Sequence, residues 1–565
     1  MSPVILVQLL PLLAVLIVLI GSDTTRLRRA KIATYPIGAA FLGAIATLWF
    51  VVTEGPVTVR FYDPSAMSML AFPMGVHIDR LSAVMMVLIS GVGTIVYSYS
   101  VGYMYQDPYN RRYLAIIGFV TFVLLCMVSS ANLMMLFLFW QILSYMLYLV
   151  AHNHGHAATL EGAFKTFTLQ RVGDVAFLSG IVLAYQLYGT VEFQPLFAKA
   201  AELSVTLTLL PGLEIAGTTA VTLLLFIGAM SKSAQFPIHI WLPSSLYAPT
   251  PVHALLHAGI INAGGFLINR LAPLFGLSST TLHVAFVVGM LTAVLGATMM
   301  LAQNDIKKTL GFSTIGQMGY MIMECGLGAF SLAVFHLIAH GLFKATVFLN
   351  CGNVIHKARQ DPEFPHTDPQ EEEGFSRLTW STGFITTLLI PLLILLVTHG
   401  VLRIPLLESQ GTVIFLFFIW ITSSQAILTL TRLREVASWK VSSAMLLTLL
   451  FIVFVYLFAV ESFTAFLYPD PEEVAFYFRA AALPEGLFDS IVILATMLTV
   501  LSWSYLYMRA HGQAVWMPGW VAGLRFRLYV LFMNRLYVDE LYRVLGRSVM
   551  RLAHRIDKRA AGWSK

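Results

Sequence analysis

Three basic side chains recur at four-residue intervals within one apolar stretch of the sequence: His336, His340 and Lys344. This spacing places all three on one face of an α-helix, where they form a single row. Imidazole and amine groups can bind and release protons close to neutral pH in an apolar surrounding. The row therefore predicts a proton relay through side chains and intervening water. Structural hydrogen bonding to carbonyl groups is the simpler alternative.

Other ionisable residues also lie within apolar stretches, where a charge is costly unless it is paired or hydrated. We assign five more residues to the same predicted pathway: Lys165, Arg171, Asp174, Lys232 and His257. Each has a simpler explanation. A lysine near the end of a membrane span can extend its amine to the interface. Arg171 and Asp174, three residues apart, can form a purely structural ion pair.

The elements that carry these residues are long and apolar. Hydrophobic residues make up 58% of the 565 positions and charged residues only 11%, against roughly 25% charged residues in a soluble domain. Runs of about 20 apolar residues, each able to cross a bilayer, predict an all-α polytopic membrane protein with about 15 transmembrane helices. The predicted spans are 4–21, 33–53, 81–104, 113–130, 132–151, 163–188, 218–236, 251–272, 281–301, 315–330, 331–355, 378–399, 412–430, 441–460 and 488–508.

Basic residues in the short loops predict the orientation of these spans, because such residues are enriched on the cytoplasmic side. They follow alternate spans, for example at Arg28, Arg111 and Lys308. The N-terminus is then periplasmic, the C-terminus is cytoplasmic, and the membrane is the inner membrane of a bacterium. The net charge of +6 fits this topology, so membrane lipid is the expected partner and nucleic acid is not.

Five segments are predicted along the chain. They are N-terminal transmembrane helices (1–110), a first repeat (111–272), a second repeat (273–430), C-terminal transmembrane helices (431–508) and a basic cytoplasmic tail (509–565). The repeats rest on the segment Gly-Ala-Phe-Lys that ends at Lys165 and the segment Gly-Leu-Phe-Lys that ends at Lys344. These segments lie five spans apart, so the two repeats have opposite orientations, as in inverted-repeat transporters.

The basic tail is predicted to contain an amphipathic helix over residues 535–560. Its apolar stripe consists of Val538, Leu541, Leu545, Val549, Leu552 and Ile556. Arginines at 543, 547, 551 and 555 occupy a different face of the helix. Such a helix binds an anionic membrane surface or a groove on a partner protein. A solvated basic tail is the simpler alternative.

No cofactor, metal site or catalytic chemistry is predicted in this chain. Cys126, Cys325 and Cys351 lack the spacing of a zinc site or of a disulfide framework. The His-x-His-x-His run at 152–156 lacks neighbouring cysteines or carboxylates. It fits a solvated cytoplasmic loop or a proton-collecting surface better than a metal site.

Four segments carry a family resemblance. They are RVGDVAFLSGIVLAYQLYGT (171–190), SKSAQFPIHIWLPSSLYAPTPVHALLHAG (231–259), NDIKKTLGFSTIGQMGYM (304–321) and FHLIAHGLFKATVFLNCGNVIH (335–356). They resemble the antiporter-like subunits of respiratory complex I and of Mrp antiporters, most closely the distal L-type subunit. The resemblance implies a bundle of roughly 14 to 16 helices with inverted repeats and broken helices.

The same resemblance implies roles for individual residues. Lys232 matches the family's helix-7 lysine, His257 its helix-8 histidine, and the row from His336 to Lys344 its central relay. Asp79, Arg171 and Asp174 also fall on family positions. Residues 534–545 (NRLYVDELYRVL) resemble the start of the lateral helix of L-type subunits.

Three departures from the family pattern change the expected function. The family has Trp-Glu where this chain has Trp140-Gln141, so Lys232 is expected to lack its usual counter-charge. Predicted span 12 has no ionisable residue before His399, although the family has a lysine there. The sequence also stops after the amphipathic segment, so we expect no full lateral arm.

These departures favour a non-respiratory branch of the family, the membrane subunit of DAB-type inorganic carbon uptake complexes. That resemblance implies a proton conduit coupled to a large cytoplasmic partner, which is zinc-dependent and carbonic-anhydrase-like and docks on the tail and the cytoplasmic loops. A pump subunit of complex I or of a hydrogenase complex is one alternative, and an Mrp-type Na⁺/H⁺ antiporter subunit is another. A non-conducting scaffold with the family fold is a third.

Overall fold

The computed structural model describes residues 3–20, 26–63, 72–151, 157–245, 248–360, most of 455–501, and 519–563. Helices make up nearly all of these residues. They are α1 (Pro3–Leu19), α2 (Arg26–Ile32), α3 (Thr34–Glu54), α4 (Arg80–Tyr103), α5 (Asn110–Val128), α6 (Leu133–Ala151), α7 (Ala157–Tyr188), α8 (Phe193–Glu202), α9 (Gly217–Lys232), α10 (Trp241–Ser244), α11 (Thr250–Leu255), α12 (Ala263–Arg270), α13 (Ala272–Phe275), α14 (Ser279–Leu301), α15 (Ile306–Gly326), α16 (Phe330–Gln360), α17 (Phe458–Leu467), α18 (Pro471–Ala481), α19 (Gly519–Met533) and α20 (Val538–Trp563).

Eight helical stretches among the described residues are long and apolar enough to cross a membrane. They are Leu27–Glu54, Arg80–Tyr103, Asn110–Val128, Leu133–Val150, Thr159–Tyr188, Thr250–Arg270, Ser279–Leu301 and Phe330–Cys351. Large apolar side chains such as Leu42, Trp49 and Val175 remain exposed on them, as lipid-facing positions require. The predicted helical membrane fold is thus confirmed. The predicted spans 378–399, 412–430, 441–460 and 488–508 lie wholly or mostly outside the described residues, as does the histidine run at 152–156.

The structure also contains short elements that the sequence analysis missed. Strand β1 (Val57–Tyr62) pairs antiparallel with β2 (Met74–Ile78), and β3 (Thr206–Leu210) pairs with β4 (Leu213–Ala216). Both hairpins connect spans, so they close the ends of helices without entering the bundle. Strands this short leave little periodicity in a sequence dominated by spans.

The predicted span 315–330 has the wrong bounds. Its helix, α15, begins at Ile306, because the side chain of Asp305 accepts a hydrogen bond from the backbone N of Lys308 at 2.9 Å and caps the helix. Lys307 and Lys308 therefore lie in the first helical turn and not in a loop. Close packing fixes α15 against α14, since Gly289 of α14 meets the backbone of α15 where a β-carbon would clash.

Broken helices occupy the centre of the chain. Helix α9 ends at Lys232, and the backbone then passes through Ala234, which has a positive φ of 48°. A short 3₁₀ turn and α10 follow Pro237. A second interruption is the π-helical turn Leu256–Ile260 between α11 and α12. Such interruptions free backbone groups and commonly mark functional sites in membrane proteins.

The alternating helices define two faces of the bundle. The first face carries both hairpins together with α8, α17 and α18. The second face carries the break after Lys232, the start of α15 and the terminal helices α19 and α20. Contacts place α20 there, because the hydroxyl of Tyr542 donates to the carbonyl of Pro237 at 3.3 Å.

Candidate ion-translocation site

The row of His336, His340 and Lys344 lies along α16, as its spacing predicts. The two imidazole rings meet edge to face, with centroids 6.2 Å apart. His340 and Lys344 are buried, with 5% and 2% of their surfaces exposed. Lys344 Nζ donates to Ser313 Oγ of α15 at 2.9 Å, so this hydrogen-bond partner is a neutral hydroxyl. The row thus places three proton-binding groups along one helix inside the bundle.

The first histidine of the row contacts a carboxylate that the sequence analysis did not select. Glu324 of α15 places its two oxygens 3.1 and 3.2 Å from His336 Nδ1. On the opposite side of the ring, His336 Nε2 lies 2.9 Å from Gln317 Oε1. A helix-to-helix contact of this kind leaves no signal in sequence spacing, because Glu324 and His336 belong to different helices. A glutamate inside an apolar stretch was the available clue.

His257 lies beside this row, within the π-helical turn. Its ring stacks on Phe348 of α16, with centroids 4.4 Å apart and planes 7° apart. Neither ring nitrogen has a hydrogen-bond partner among the described residues. Both His340 and Lys344 lie near enough for their charges to act on it. The structure therefore places His257 beside the row.

Lys232 is fully buried at the last residue of α9. Its Nζ donates to the backbone oxygen of Trp140 at 3.3 Å, to Gln170 Oε1 at 3.2 Å and to the hydroxyl of Ser144. The ammonium also lies 5.3 Å from the centroid of the Trp140 ring. All of these acceptors are neutral. Lys232 therefore sits in a cage without a direct counter-charge among the described residues.

Gln141 contacts Arg171, and its carbonyl oxygen accepts a hydrogen bond from that guanidinium. Arg171 also pairs with Asp174 at 2.7 Å, which is the ion pair that their spacing allows. The indole of Trp140 donates to Asp174 at 2.8 Å. Trp140 therefore touches both Asp174 and Lys232, and it separates the buried carboxylate from the buried amine.

Lys165 lies apart from these groups, near the second face. It forms an ion pair with Asp539 of α20, and Asp539 also pairs with Arg535 at 3.1 Å. Arg535 in turn lies over the ring of Phe312, 5.9 Å from its centroid. The structure thus places Lys165 where α7 meets the tail, although the repeat motif relates it to Lys344.

Asp79, the remaining family position, lies at the first face. Arg270 donates to both of its oxygens, at 2.6 and 3.0 Å, and Asp79 also caps α4 through Ser82. Burial alone would raise the pKa of the Asp79 carboxyl, but the charge and hydrogen bonds of Arg270 hold that pKa well below its ordinary value. The pair lines a cavity of about 380 Å³ that also includes His77 and Glu473.

Two family models match the chain. One is described as NADH:quinone oxidoreductase/Mrp antiporter, TM, and matches residues 130–398; the other is described as NADH-Ubiquinone oxidoreductase (complex I), chain 5 N-terminus, and matches residues 65–114. The chain is also 38% identical over 549 residues to a probable inorganic carbon transporter subunit, DabB1, of Halothiobacillus neapolitanus, with 95% of each chain covered. The chain belongs to the antiporter-like family. It is a multi-pass membrane protein of this cation-translocating group.

Other relatives of this antiporter-like subunit match it in part. It is 35% identical to NADH-quinone oxidoreductase subunit L of Neisseria meningitidis serogroup B over 69% of this chain and 58% of that protein. A solved structure of the Mrp complex from Dietzia sp. has a TM-score of 0.57 at 20% identity, covering 97% of this chain and 60% of that chain. The membrane-bound sulfane sulfur reductase, an archaeal respiratory complex, gives a TM-score of 0.54 at 18% identity. At these identities the solved structures support the shared fold alone.

Two of the ionisable clusters among the described residues contain the buried lysines of the predicted pathway. One surrounds Lys232 and Asp174, and the other runs along α16 beside His257. The first of these clusters depends on Trp140, which the sequence analysis named only as the neighbour of Gln141, and on Ser144 and Gln170, which it missed. Trp140 and neutral partners such as these do not stand out in a sequence, because apolar spans contain many indoles, hydroxyls and amides at lipid-facing or packing positions.

Proposed function

We propose that this chain is the proton-conducting membrane subunit of a bacterial inorganic carbon uptake complex. Protons pass down their gradient through the bundle, and their movement energises a partner that acts on CO₂ or bicarbonate. The row of His336, His340 and Lys344 carries the proposal, because it is a buried file of groups that can each hold a proton. His257 beside the row extends it toward the broken helices.

The proposed orientation places the first face in the periplasm and the second face in the cytoplasm. Arg28 and Lys31 of α2, Arg111 and Arg112 of α5, and Lys308 of α15 all lie toward the second face. Basic residues are enriched on the cytoplasmic side of inner-membrane proteins. The proposed membrane is therefore the bacterial inner membrane, with the tail helix inside the cell.

The proposed partner is a large soluble zinc-dependent, carbonic-anhydrase-like subunit docked on the tail and on neighbouring cytoplasmic loops. Similarity to DabB1 over nearly the whole length of both chains supports this choice over a respiratory complex. Leu541, Val544 and Ile556 of α20 remain exposed, whereas Val538 is buried against the bundle. An apolar stripe of this kind beside basic residues suits a protein surface of acidic character.

Proton flux into vesicles tests the conducting role. The complex is reconstituted with a trapped pH-sensitive dye, and a potassium gradient with valinomycin drives protons inward. Lys344→Ala should abolish the flux while the protein remains inserted and in complex. Lys31→Ala, an exposed lysine of α2, is the matched control and should conduct normally. Equal flux in wild type and Lys344→Ala would favour the non-conducting scaffold.

A pump subunit of complex I or of a hydrogenase complex is the second candidate, supported by the identity to subunit L. The Mrp-type Na⁺/H⁺ antiporter is a related possibility on the same fold. The transported ion and the proteins that co-purify with the chain distinguish these two functions from carbon uptake. A sodium-dependent flux would favour an Mrp-type antiporter, and co-purification with quinone-reductase subunits would favour the pump. Co-purification with a zinc protein, together with bicarbonate-dependent growth of a deletion strain, would support the proposed function.

A further inference from the structure

The contact between Glu324 and His336 accommodates two positions of one proton. With the proton on His336 Nδ1, an imidazolium donates to a carboxylate; with the proton on Glu324, the acid donates to a neutral ring. In both states His336 Nε2 keeps its own proton and donates to Gln317 Oε1, 2.9 Å away. Gln317 therefore fixes the ring in one tautomer while the proton moves on the other side.

We infer that Glu324 and His336 form a proton-exchange pair that connects the row to the first face. Glu324 takes up a proton from the first face and passes it to His336. In that step an O–H bond of Glu324 breaks and the Nδ1–H bond of His336 forms, leaving a carboxylate beside an imidazolium. The Nδ1–H bond of the imidazolium then breaks as that proton passes through intervening water to a ring nitrogen of His340. The ring of His336 is left in its Nε2-protonated form, and the Glu324 carboxylate binds the next proton. The inference rests on the proposed function, because it requires a conducting row.

The position of the pair supports this role. Glu324 lies near the end of α15, and His336 lies near the start of α16, so both are close to the first face. Phe330, the first residue of α16, packs edge to face on Tyr477 of α18, with centroids 4.9 Å apart. The side chains of Glu324 and His336 are each 15% exposed, whereas His340 is more deeply buried. Accessibility thus decreases from the pair into the row.

Charge also distinguishes the pair from the two buried lysines. Lys232 and Lys344 are held by neutral acceptors, but His336 has a carboxylate that can neutralise it. A proton that arrives on His336 therefore does not create an uncompensated charge inside the membrane, which would be costly. Glu324 lowers that cost at His336, which is the member of the row nearest the first face.

Other titratable groups act on the pair. On the helix of Glu324 these are Tyr320 and Cys325, and on α16 His340 faces His336. Tyr320 and Cys325 each carry a proton of their own in their neutral forms. The proton that exchanges is therefore bound either to the carboxylate of Glu324 or to the imidazole of His336. His340 is the next group along the row that can accept it.

Two substitutions and their combination test the inference in the reconstituted complex. Glu324→Gln keeps the size and a hydrogen-bonding side chain but cannot exchange the proton, so flux should fall roughly a hundredfold, as for loss of a general acid–base group. His336→Gln should reduce flux to a similar extent. Because both act in one step, the double variant should conduct no worse than His336→Gln alone. Multiplying losses would show independent roles and overturn the pair.

A structural role for Glu324 makes a different prediction. If the carboxylate only holds α15 against α16, Glu324→Gln should lower flux in proportion to the loss of folded complex, measured by size-exclusion chromatography. Infrared difference spectra provide a second readout. A carboxylic C=O band should appear in the wild type on acidification and be missing in Glu324→Gln. Glu202→Gln, an exposed carboxylate at the end of α8 on the same face, should leave that band unchanged. A band that persists in Glu324→Gln would overturn the inference.

Failure of this inference is distinguishable from failure of the proposed function. Normal flux in Glu324→Gln with no flux in Lys344→Ala would retain a conducting row that receives its protons elsewhere. Normal flux in both variants would refute the proposal that the row conducts protons. Loss of flux in both, with non-additive behaviour of Glu324 and His336, is the expected result.

Discussion

Neutralising the carboxylate of Asp539 should weaken the docking of the tail helix, α20, on the bundle. Asp539 forms an ion pair with Lys165 of α7, which joins α20 to a membrane-spanning helix. Burial alone would raise the pKa of Asp539, but its hydrogen bond from Lys165 and the charges of Lys165 and Arg535 hold that pKa below its ordinary value of 3.8. Asp539→Asn removes this charge with little change in shape.

The magnitude follows from the partial burial of the pair. The two side chains are 27% and 21% exposed, between a surface pair and a fully buried one. Surface pairs contribute about 0 to 1 kcal/mol, and loss of one partner of a buried pair costs about 3 to 5 kcal/mol. Asp539→Asn should therefore weaken docking by about 1 to 2 kcal/mol, which is roughly a 5- to 30-fold change in the ratio of docked to undocked helix.

Hydrogen–deuterium exchange measures this ratio directly. Peptides covering residues 535–545 should exchange roughly 5- to 30-fold faster in Asp539→Asn than in the wild type. Glu540→Gln is the matched control, because this neighbouring carboxylate pairs with Arg543 of its own helix and is 52% exposed. Exchange should be unchanged in that control. Equal exchange in the wild type and Asp539→Asn would show that the ion pair between Lys165 and Asp539 does not hold α20 on the bundle. Equal acceleration of exchange in both variants would show the same.

The same contact predicts a pH dependence. A carboxyl whose pKa is lower in the docked state stabilises docking above its ordinary value of 3.8, and the stabilisation is lost as the pH falls from there through the docked-state pKa. Docking should therefore be independent of pH near neutrality and weaken in acid. Asp539→Asn should remove this acid dependence, which the same exchange measurement detects.

Two further predictions concern the other buried charges. Gln141→Glu should pair its new carboxylate with Arg171, so double-mutant cycles of proton flux should show coupling between Gln141 and Arg171 and little between Gln141 and Lys232. Asp79→Asn should leave the Arg270 guanidinium buried without its counter-charge and lower the free energy of unfolding by about 3 kcal/mol, measured by thermal unfolding in detergent. The double variant Asp79→Asn, Arg270→Met should lose less than the single variant.

Much of the fold could be predicted from sequence, because membrane spans leave the strongest signal that a sequence contains. The lengths of the apolar runs predicted most of the ends of helices α3 to α7 to within a few residues. The spacing of His336, His340 and Lys344 predicted that they share one helical face. In each case the determining interaction is local along the chain, so spacing alone is informative.

The partners of the charged groups could not be predicted in the same way. Glu324 meets His336, and Lys165 meets Asp539, across helix interfaces, and the second pair also lies 374 positions apart in the sequence. The sequence analysis expected Gln141 to matter for Lys232, but Gln141 contacts Arg171. That contact depends on how α6 and α7 are rotated against each other, and no periodicity reports such a rotation. In the tail, Val538 of the predicted stripe is buried against the bundle whereas Leu541 and Ile556 are exposed, a difference that their spacing did not predict.

The distribution of charge in the bundle indicates which side chains can gain or lose a proton at the lowest cost in free energy. Arg171 is matched by Asp174, and Arg270 by Asp79, so neutralising either partner would strand a charge in a poorly hydrated site. These pairs are suited to holding helices together. Lys344, in contrast, rests on the neutral hydroxyl of Ser313, which can donate to a neutral amine or accept from an ammonium. Its proton can therefore leave without stranding a carboxylate. The fixed pairs position the bundle, and the amine on a neutral acceptor is the group best suited to carry the ion.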